Sequence, residues 1–140
     1  RKMPKIVEAR ARNHHTYGER LHGFWTQTSS TAELSSFAFG TAVDNRSEVA
    51  RVLAENNIES RPLICGNIAR HPFWSKTHET PHLPMADFIH EYGIYLPNHA
   101  SLSKNEVERV SDVFMRVARP AFPKDLAGVD ARLRQNNRHN

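Results

Sequence analysis

The residues best suited to binding a ligand lie in one stretch, from Glu59 to Trp74. The stretch begins as an apolar strand, breaks at a Cys-Gly-Asn turn, and then places Arg70, His71 and two aromatic side chains where no regular element is expected. Arg61 stands near its start. Charge, aromatic surface and a glycine turn at the end of a strand are typical of a binding loop.

The side chains of this loop suit an anionic ligand. Arginine is favoured for phosphate because its planar fork matches the phosphate oxygens. Asn67 adds an amide donor, Gly66 lets the backbone approach a ligand, and His71 could bond a phosphate or a hydroxyl. We therefore predict that Arg61, Gly66, Asn67, Arg70 and His71 bind substrate. Surface ion pairs for the arginines and a structural role for the histidine stay open as alternatives.

Three further residues could border a cleft. Trp74 could stack on a ring or pack within the protein. Asn98 and His99 follow Pro97 at the end of a predicted strand, where side chains can project into a cleft or close a turn on themselves.

Neither a catalytic lysine nor a metal site is predicted. Lys76 is the only lysine near the loop, and its polar neighbours indicate an exposed amine, whereas a catalytic imine needs a desolvated one. His14 and His15 are adjacent and so point to different faces of a helix. His78 and His82 lie in a polar stretch without a cysteine or carboxylate at tight spacing.

Length and composition indicate one small domain in the cytoplasm. A chain of 140 residues with 39% hydrophobic residues can bury one modest core. The single cysteine, Cys65, cannot form an internal disulfide, which favours a reducing compartment. The apolar runs are too short for a membrane span, so we expect no membrane partner.

The net charge of +4 is unevenly distributed. Residues 1–20 and residues 116–140 each carry six Lys and Arg side chains against two acids, and the middle of the chain is acidic. Basic ends could bind nucleic acid. They lack interleaved aromatic residues, however, which favours solvated helix faces and a polar tail.

The hydrophobic spacing predicts four helices and three strands. The helices are Met3–His22, one that begins at an Asn45–Glu48 capping box, Pro84–Tyr92, and one that begins at a Ser103–Glu106 capping box. The strands are Leu34–Val43, with Phe37 and Phe39 on one face, Ile58–Ile64 with Pro62 indicating an edge, and Ile94–Leu96.

This order of elements predicts an α+β fold. We expect a small mixed or antiparallel sheet of three to four strands with helices on one face. Residues 1–118 would form the domain, and residues 119–140 a partly disordered C-terminal tail. The first helix has a thin apolar stripe, so we expect it to lie across another body.

Several motifs resemble, in order, the C-terminal small domain of DegT-type enzymes, over residues 5–117. The matching segments are Arg10, Asn13, Tyr17 and Leu21 in the first helix; 58–63; 66–72; 83–99; and 102–110. DegT-type enzymes are pyridoxal-phosphate (PLP) dependent aminotransferases and dehydratases of fold type I that act on nucleotide-linked keto-sugars.

The resemblance implies a piece of a larger enzyme, similar to perosamine synthases and to 3-dehydratases of 4-keto-6-deoxy sugar nucleotides. In that family the residues that hold PLP lie in a larger preceding domain, which is absent from this sequence, and residues 1–22 would bridge the two domains. The resemblance implies PLP and a homodimer for the full-length enzyme, with no PLP bound and no activity in this chain alone. A nucleic-acid-binding module and a non-catalytic oligomerisation domain remain the alternatives.

Overall fold

The computed structural model describes residues 3–26, 35–64 and 66–123. Outside these ranges lie residues 27–34, Cys65 and the part of the predicted tail beyond Pro123. No helix in the described part is both long and apolar enough to cross a membrane.

Five α-helices and three strands make up the described fold. The helices are α1 (Met3–Arg20), α2 (Arg46–Glu55), α3 (Pro72–Ser75), α4 (Pro84–Tyr92) and α5 (Lys104–Met115), with a 3-10 turn at Ile68–Arg70. The strands are β1 (Ala38–Ala42), β2 (Arg61–Pro62) and β3 (Gly93–Pro97).

The three strands form an antiparallel sheet in the order β1-β3-β2, which confirms the predicted α+β class. Phe39 pairs with Leu96 in the register, and Arg61 pairs with Tyr95. β2 is an edge strand, as Pro62 predicted, but it is only two residues long because proline cannot donate to the ladder. The prediction of a strand over Ile58–Ile64 was therefore too long.

The main core lies between one face of the sheet and helices α1, α2 and α5. Phe39 stacks on Tyr17 of α1, with ring centroids 5.0 Å apart, and Leu96 and Phe114 are fully buried beside them. Phe24 packs edge-on against Phe114 at 5.1 Å. Burial of such side chains is the main source of stability in a domain of this size.

A smaller cluster lies on the other side of the sheet, at one end. Ala42 packs there with Phe88 of α4, and Trp25 lies edge-on to Phe88 at 5.5 Å. Phe37 lies just before β1, and its ring contacts Tyr95 at 5.4 Å. Tyr95 pairs with Gly40, so it lies on the face opposite to Phe39. The prediction that Phe37 and Phe39 share a face was wrong.

The two predicted capping boxes had different outcomes. At the start of α5, Ser103 and Glu106 form the reciprocal pair that their spacing predicted. At the start of α2, Asn45 makes no side-chain cap. Its amide instead donates to Glu48 and to the carbonyl of Val117, both at 2.8 Å, and its oxygen accepts from the Arg119 N–H at 2.9 Å.

Helix α1 is joined to the C-terminal end of β3 by polar contacts. The Tyr17 hydroxyl donates to the Pro97 carbonyl at 2.8 Å, and Asn13 Nδ2 donates to the His99 carbonyl at 3.1 Å. Asn98 Nδ2 donates to the Arg10 carbonyl at 3.3 Å. Burial raises the pKa of the Tyr17 hydroxyl. These bonds fix the helix against the sheet although few of its residues are apolar.

Candidate functional site

A carboxylate on α4 organises the predicted binding loop. Asp87 Oδ1 accepts from Asn67 Nδ2 at 2.7 Å and from Arg70 Nε at 2.8 Å. Asn67 also begins the 3-10 turn, because its Oδ1 accepts from the Ala69 N–H at 3.0 Å. One helix side chain thus holds both ends of the turn. We call residues 66–78 the anchored loop.

These contacts lower the pKa of Asp87. The hydrogen bond from Arg70, followed by that from Asn67, lowers it to about 2, because both bonds favour the ionised carboxylate. The pKa of Arg70 is raised by the same hydrogen bond and by the charge of Asp87. The pair is therefore ionised throughout the physiological range.

A second contact with α4 requires the glycine at position 66. Gly66 has φ +51°, a conformation that favours glycine, and a Cβ there would lie 2.4 Å from His90 Nδ1. The N–H of Asn67 donates to that same nitrogen at 3.2 Å. His90 therefore acts as an acceptor, and the chain passes close to α4 because residue 66 has no side chain.

The predicted substrate-binding residues of the anchored loop differ in how exposed they are. Asn67 is only 2% exposed, and its amide serves the loop itself. Arg70 is paired with Asp87, yet about half of its side chain is exposed. The ring of His71 lies 6.0 Å from that of His90 and 5.9 Å from Phe73. Trp74 stacks on His78 at 4.3 Å.

Large apolar side chains are exposed in and around the anchored loop. Phe73 is 67% exposed, and Ile64, Ile68 and Leu83 are also exposed. The same segment is held firmly by Asp87 and His90. Apolar residues exposed on a segment that hydrogen bonds hold in place are typical of a surface that another body covers.

The remaining predicted residues meet at a second place. Arg61, Asn98 and His99 line an open groove of about 390 Å³ together with Arg10, Phe37 and Tyr95. We call it the β3 groove. Arg61 pairs with Glu59 at 2.7 Å on the surface, and His99 Nδ1 lies 2.7 Å from the Ser101 hydroxyl.

The two surfaces lie at opposite ends of β3. The anchored loop contacts Asp87 and His90, just before the strand begins at Gly93, and the groove is formed around the end of the strand at Pro97. Five residues of strand separate these ends by about 13 Å. The structure therefore does not gather the predicted residues into one pocket.

Sequence reasoning missed the residues that position both surfaces. Asp87 and His90 are three residues apart on α4, a spacing that places two polar side chains on one helix face. That spacing was a usable signal. Arg10 and Phe37 had no comparable signal, because α1 and the start of β1 meet β3 only in the folded chain.

Comparison with known families gives one match that covers most of the chain. Residues 1–115 match the sequence profile of the DegT/DnrJ/EryC1/StrS aminotransferase family. No curated protein matches the chain.

Solved structures share the fold. One is an Escherichia coli GDP-4-keto-6-deoxy-D-mannose-3-dehydratase with bound hydrated PLP, with a TM-score of 0.70 and 20% identity over 81% of this chain and 32% of that one. A second is a DegT/DnrJ/EryC1/StrS aminotransferase from Brucella abortus, with a TM-score of 0.72 and 18% identity over 82% and 32%.

A third is Helicobacter pylori PseC, an aminotransferase involved in the biosynthesis of pseudoaminic acid. It has a TM-score of 0.71 and 16% identity over 82% of this chain and 33% of that one. The chain thus spans about a third of the length of each of these proteins.

The described residues do not fit a PLP site by themselves. Lys5, Lys76 and Lys104 are the lysines in the described ranges, and all three are exposed. A lysine that holds PLP as an imine needs a desolvated amine. Within the same ranges, no three His, Cys, Asp or Glu side chains are grouped so that they could hold a metal ion.

Proposed function

Because this chain belongs to the DegT/DnrJ/EryC1/StrS aminotransferase family, we propose that it is the C-terminal small domain of a PLP-dependent enzyme. The enzyme is an aminotransferase or dehydratase that acts on a nucleotide-linked 4-keto-6-deoxy sugar, similar to a perosamine synthase. PLP, when bound in the rest of the enzyme, supplies the electron sink. This chain supplies part of the surface that binds the sugar nucleotide.

The observation that carries the proposal is the anchored loop with its exposed apolar side chains. Ile68 and Phe73 are exposed although Asp87 and His90 fix the loop that carries them. An isolated domain gains nothing from holding apolar groups in water. The arrangement is explained if a larger preceding domain covers this surface and the two together enclose the substrate.

The residues of the loop have separate roles in this proposal. Asp87 and Asn67 hold the backbone, and Arg70 presents its charge to the cleft that receives the substrate. His71 and Trp74 line the wall of the cleft beside it. The catalytic groups belong to the larger domain, so this chain alone is inactive. We further propose that the full-length enzyme is a homodimer, as the resemblance implies.

Expression of the complete reading frame tests the proposal. We expect the sequence upstream of Arg1 to encode a domain that binds PLP, giving the purified polypeptide a visible absorption band that the 140-residue chain lacks. With a GDP-linked 4-keto-6-deoxy sugar and glutamate, the product distinguishes amino transfer from dehydration. A complete frame without a PLP-binding domain would overturn the proposal.

A further inference from the structure

Two polar atoms at the β3 groove are buried and have no hydrogen-bond partner among the described residues. Asn98 is 1% exposed, and its Nδ2 donates to the carbonyls of Ser36 at 2.8 Å and Arg10 at 3.3 Å. These two bonds orient the amide and leave its Oδ1 with no donor among the described residues. A buried acceptor without a donor is costly, so this oxygen points to a group supplied from outside.

A cation at the same place also lacks a partner in the part of the chain that the structure describes. The Nε of Arg10 is shielded from solvent and has no acceptor within the described ranges. Nor does any described carboxylate form an ion pair with its guanidinium, whereas the neighbouring Arg61 is neutralised by Glu59. Arg10 therefore supplies the uncompensated positive charge of the groove, and a guanidinium suits phosphate oxygens.

The wall of the groove offers a flat aromatic surface. Phe37 is 56% exposed, and its ring is held edge-on against Tyr95 at 5.4 Å. An exposed aromatic ring in a groove that also carries a cation is the arrangement on which proteins stack nucleobases while binding the phosphate. A purely apolar ligand would leave Arg10 and Asn98 unsatisfied, and an inorganic anion would leave Phe37 exposed.

We propose that the β3 groove is a nucleotide-binding site. The base stacks on Phe37, a phosphate oxygen accepts from Arg10, and Asn98 Oδ1 accepts an N–H or O–H of the ligand. The inference deepens the proposed function, because it rests on the substrate being a sugar nucleotide and assigns the nucleotide end to this groove. Nucleotide binding at the groove can nevertheless be measured on the 140-residue chain.

Calorimetric titration with GDP, guanosine and pyrophosphate tests the site. We expect GDP to bind, and guanosine and pyrophosphate to bind at least about tenfold more weakly, because each lacks one of the two contacts. Absence of GDP binding at millimolar concentration would overturn the inference. So would pyrophosphate binding as tightly as GDP, since the site would then be an anion site only.

Matched variants locate the ligand. Arg10→Gln removes a charge-assisted bond and should weaken GDP binding about tenfold. Arg12→Gln, an exposed arginine on the same helix, should leave it unchanged. Phe37→Ser should weaken GDP binding several-fold. Circular dichroism of each variant checks that the fold is intact.

Two outcomes would reject the groove in favour of other sites. Binding that falls with Arg70→Gln but not with Arg10→Gln would place the nucleotide at the anchored loop, and the proposed function would stand. Tight binding of single-stranded oligonucleotides that weakens steeply with salt would instead indicate nucleic-acid binding. The absorption test on the complete polypeptide does not depend on the groove, so failures of the two proposals can be told apart.

Discussion

Asp87 makes the anchored loop sensitive to acid. Its pKa in the folded chain is about 2, below the value of about 3.9 in an unfolded chain. Its contribution to stability is therefore fully present above about pH 4 and is lost as the pH falls through about 2.

We predict that the loop stays anchored at pH 5 and detaches between about pH 4 and pH 2. The Asn67 side-chain amide resonances, followed by NMR, should move in this range because that amide donates to Asp87. Asp87→Asn should abolish the transition. A transition of the same shape in Asp87→Asn would show that another group controls the loop.

The two glycines that the structure distinguishes most clearly should respond to alanine in opposite ways. Gly66→Ala brings a Cβ to 2.4 Å from His90 at a positive φ, so we expect a loss of about 1–3 kcal/mol in the free energy of unfolding. At Gly18 in helix α1, an added Cβ would meet no described atom within 4 Å apart from the adjacent backbone of its own helix, so Gly18→Ala should gain about 0.5–1 kcal/mol. Urea unfolding measures both. A neutral Gly66→Ala would mean that the loop moves away from α4 without cost.

Among the elements, α5 offers the cleanest test of a local signal. Ser103 and Glu106 bond each other's backbone N–H groups at the start of the helix. Ser103→Ala should cost about 1 kcal/mol in chemical unfolding. Glu106→Gln keeps an acceptor for the Ser103 N–H, so it should lower the free energy of unfolding by only about 0.2–0.4 kcal/mol. Equal losses would show that the charge of Glu106, rather than the hydrogen bond, stabilises the helix.

The contrast between Ser103 and Asn45 explains how much of the fold the sequence could predict. Ser103 finds its partner three residues away, so the spacing alone was sufficient. Asn45 had the same spacing, but Val117 and Arg119 compete for its amide from more than 70 residues away. Element types followed from periodicity, whereas contacts between distant elements did not.

The same limit applies to the candidate site. The turn at Gly66 and the edge position of Pro62 were predictable, because backbone conformation is a local property. The inward position of Asn67 was not, since it depends on Asp87, twenty residues along the chain. For the same reason the separation of Arg61 from Arg70 along β3 could not be predicted.

At the scale of the whole molecule, the exposed aromatic of the anchored loop distinguishes a piece from a complete protein. Phe73 is 67% exposed, so Phe73→Ser should change the free energy of unfolding of the 140-residue chain by less than about 0.5 kcal/mol. In the complete polypeptide, where we propose that the larger domain covers this side chain, the same change should cost more than about 2 kcal/mol.

Urea unfolding of both polypeptides measures the difference. Glu79→Ala, an exposed polar residue near the same loop, is the control and should be neutral in both. If Phe73→Ser were neutral in the complete polypeptide as well, the loop would not be the surface that the larger domain covers.

The junction between α4 and β3 has no connecting residue: the helix ends at Tyr92 and the strand begins at Gly93. A Cβ at Gly93 would lie 2.5 Å from the Ile89 carbonyl and from Leu63, so the passage is possible only with glycine. One inserted residue would either extend the helix and turn Asp87 and His90 by about 100° relative to the strand, or extend the strand and exchange the two faces of β3. The direction in which Asp87 and His90 face from α4, and the faces on which the β3 side chains lie, are thus both set by a single peptide unit. The chain length cannot vary at this position.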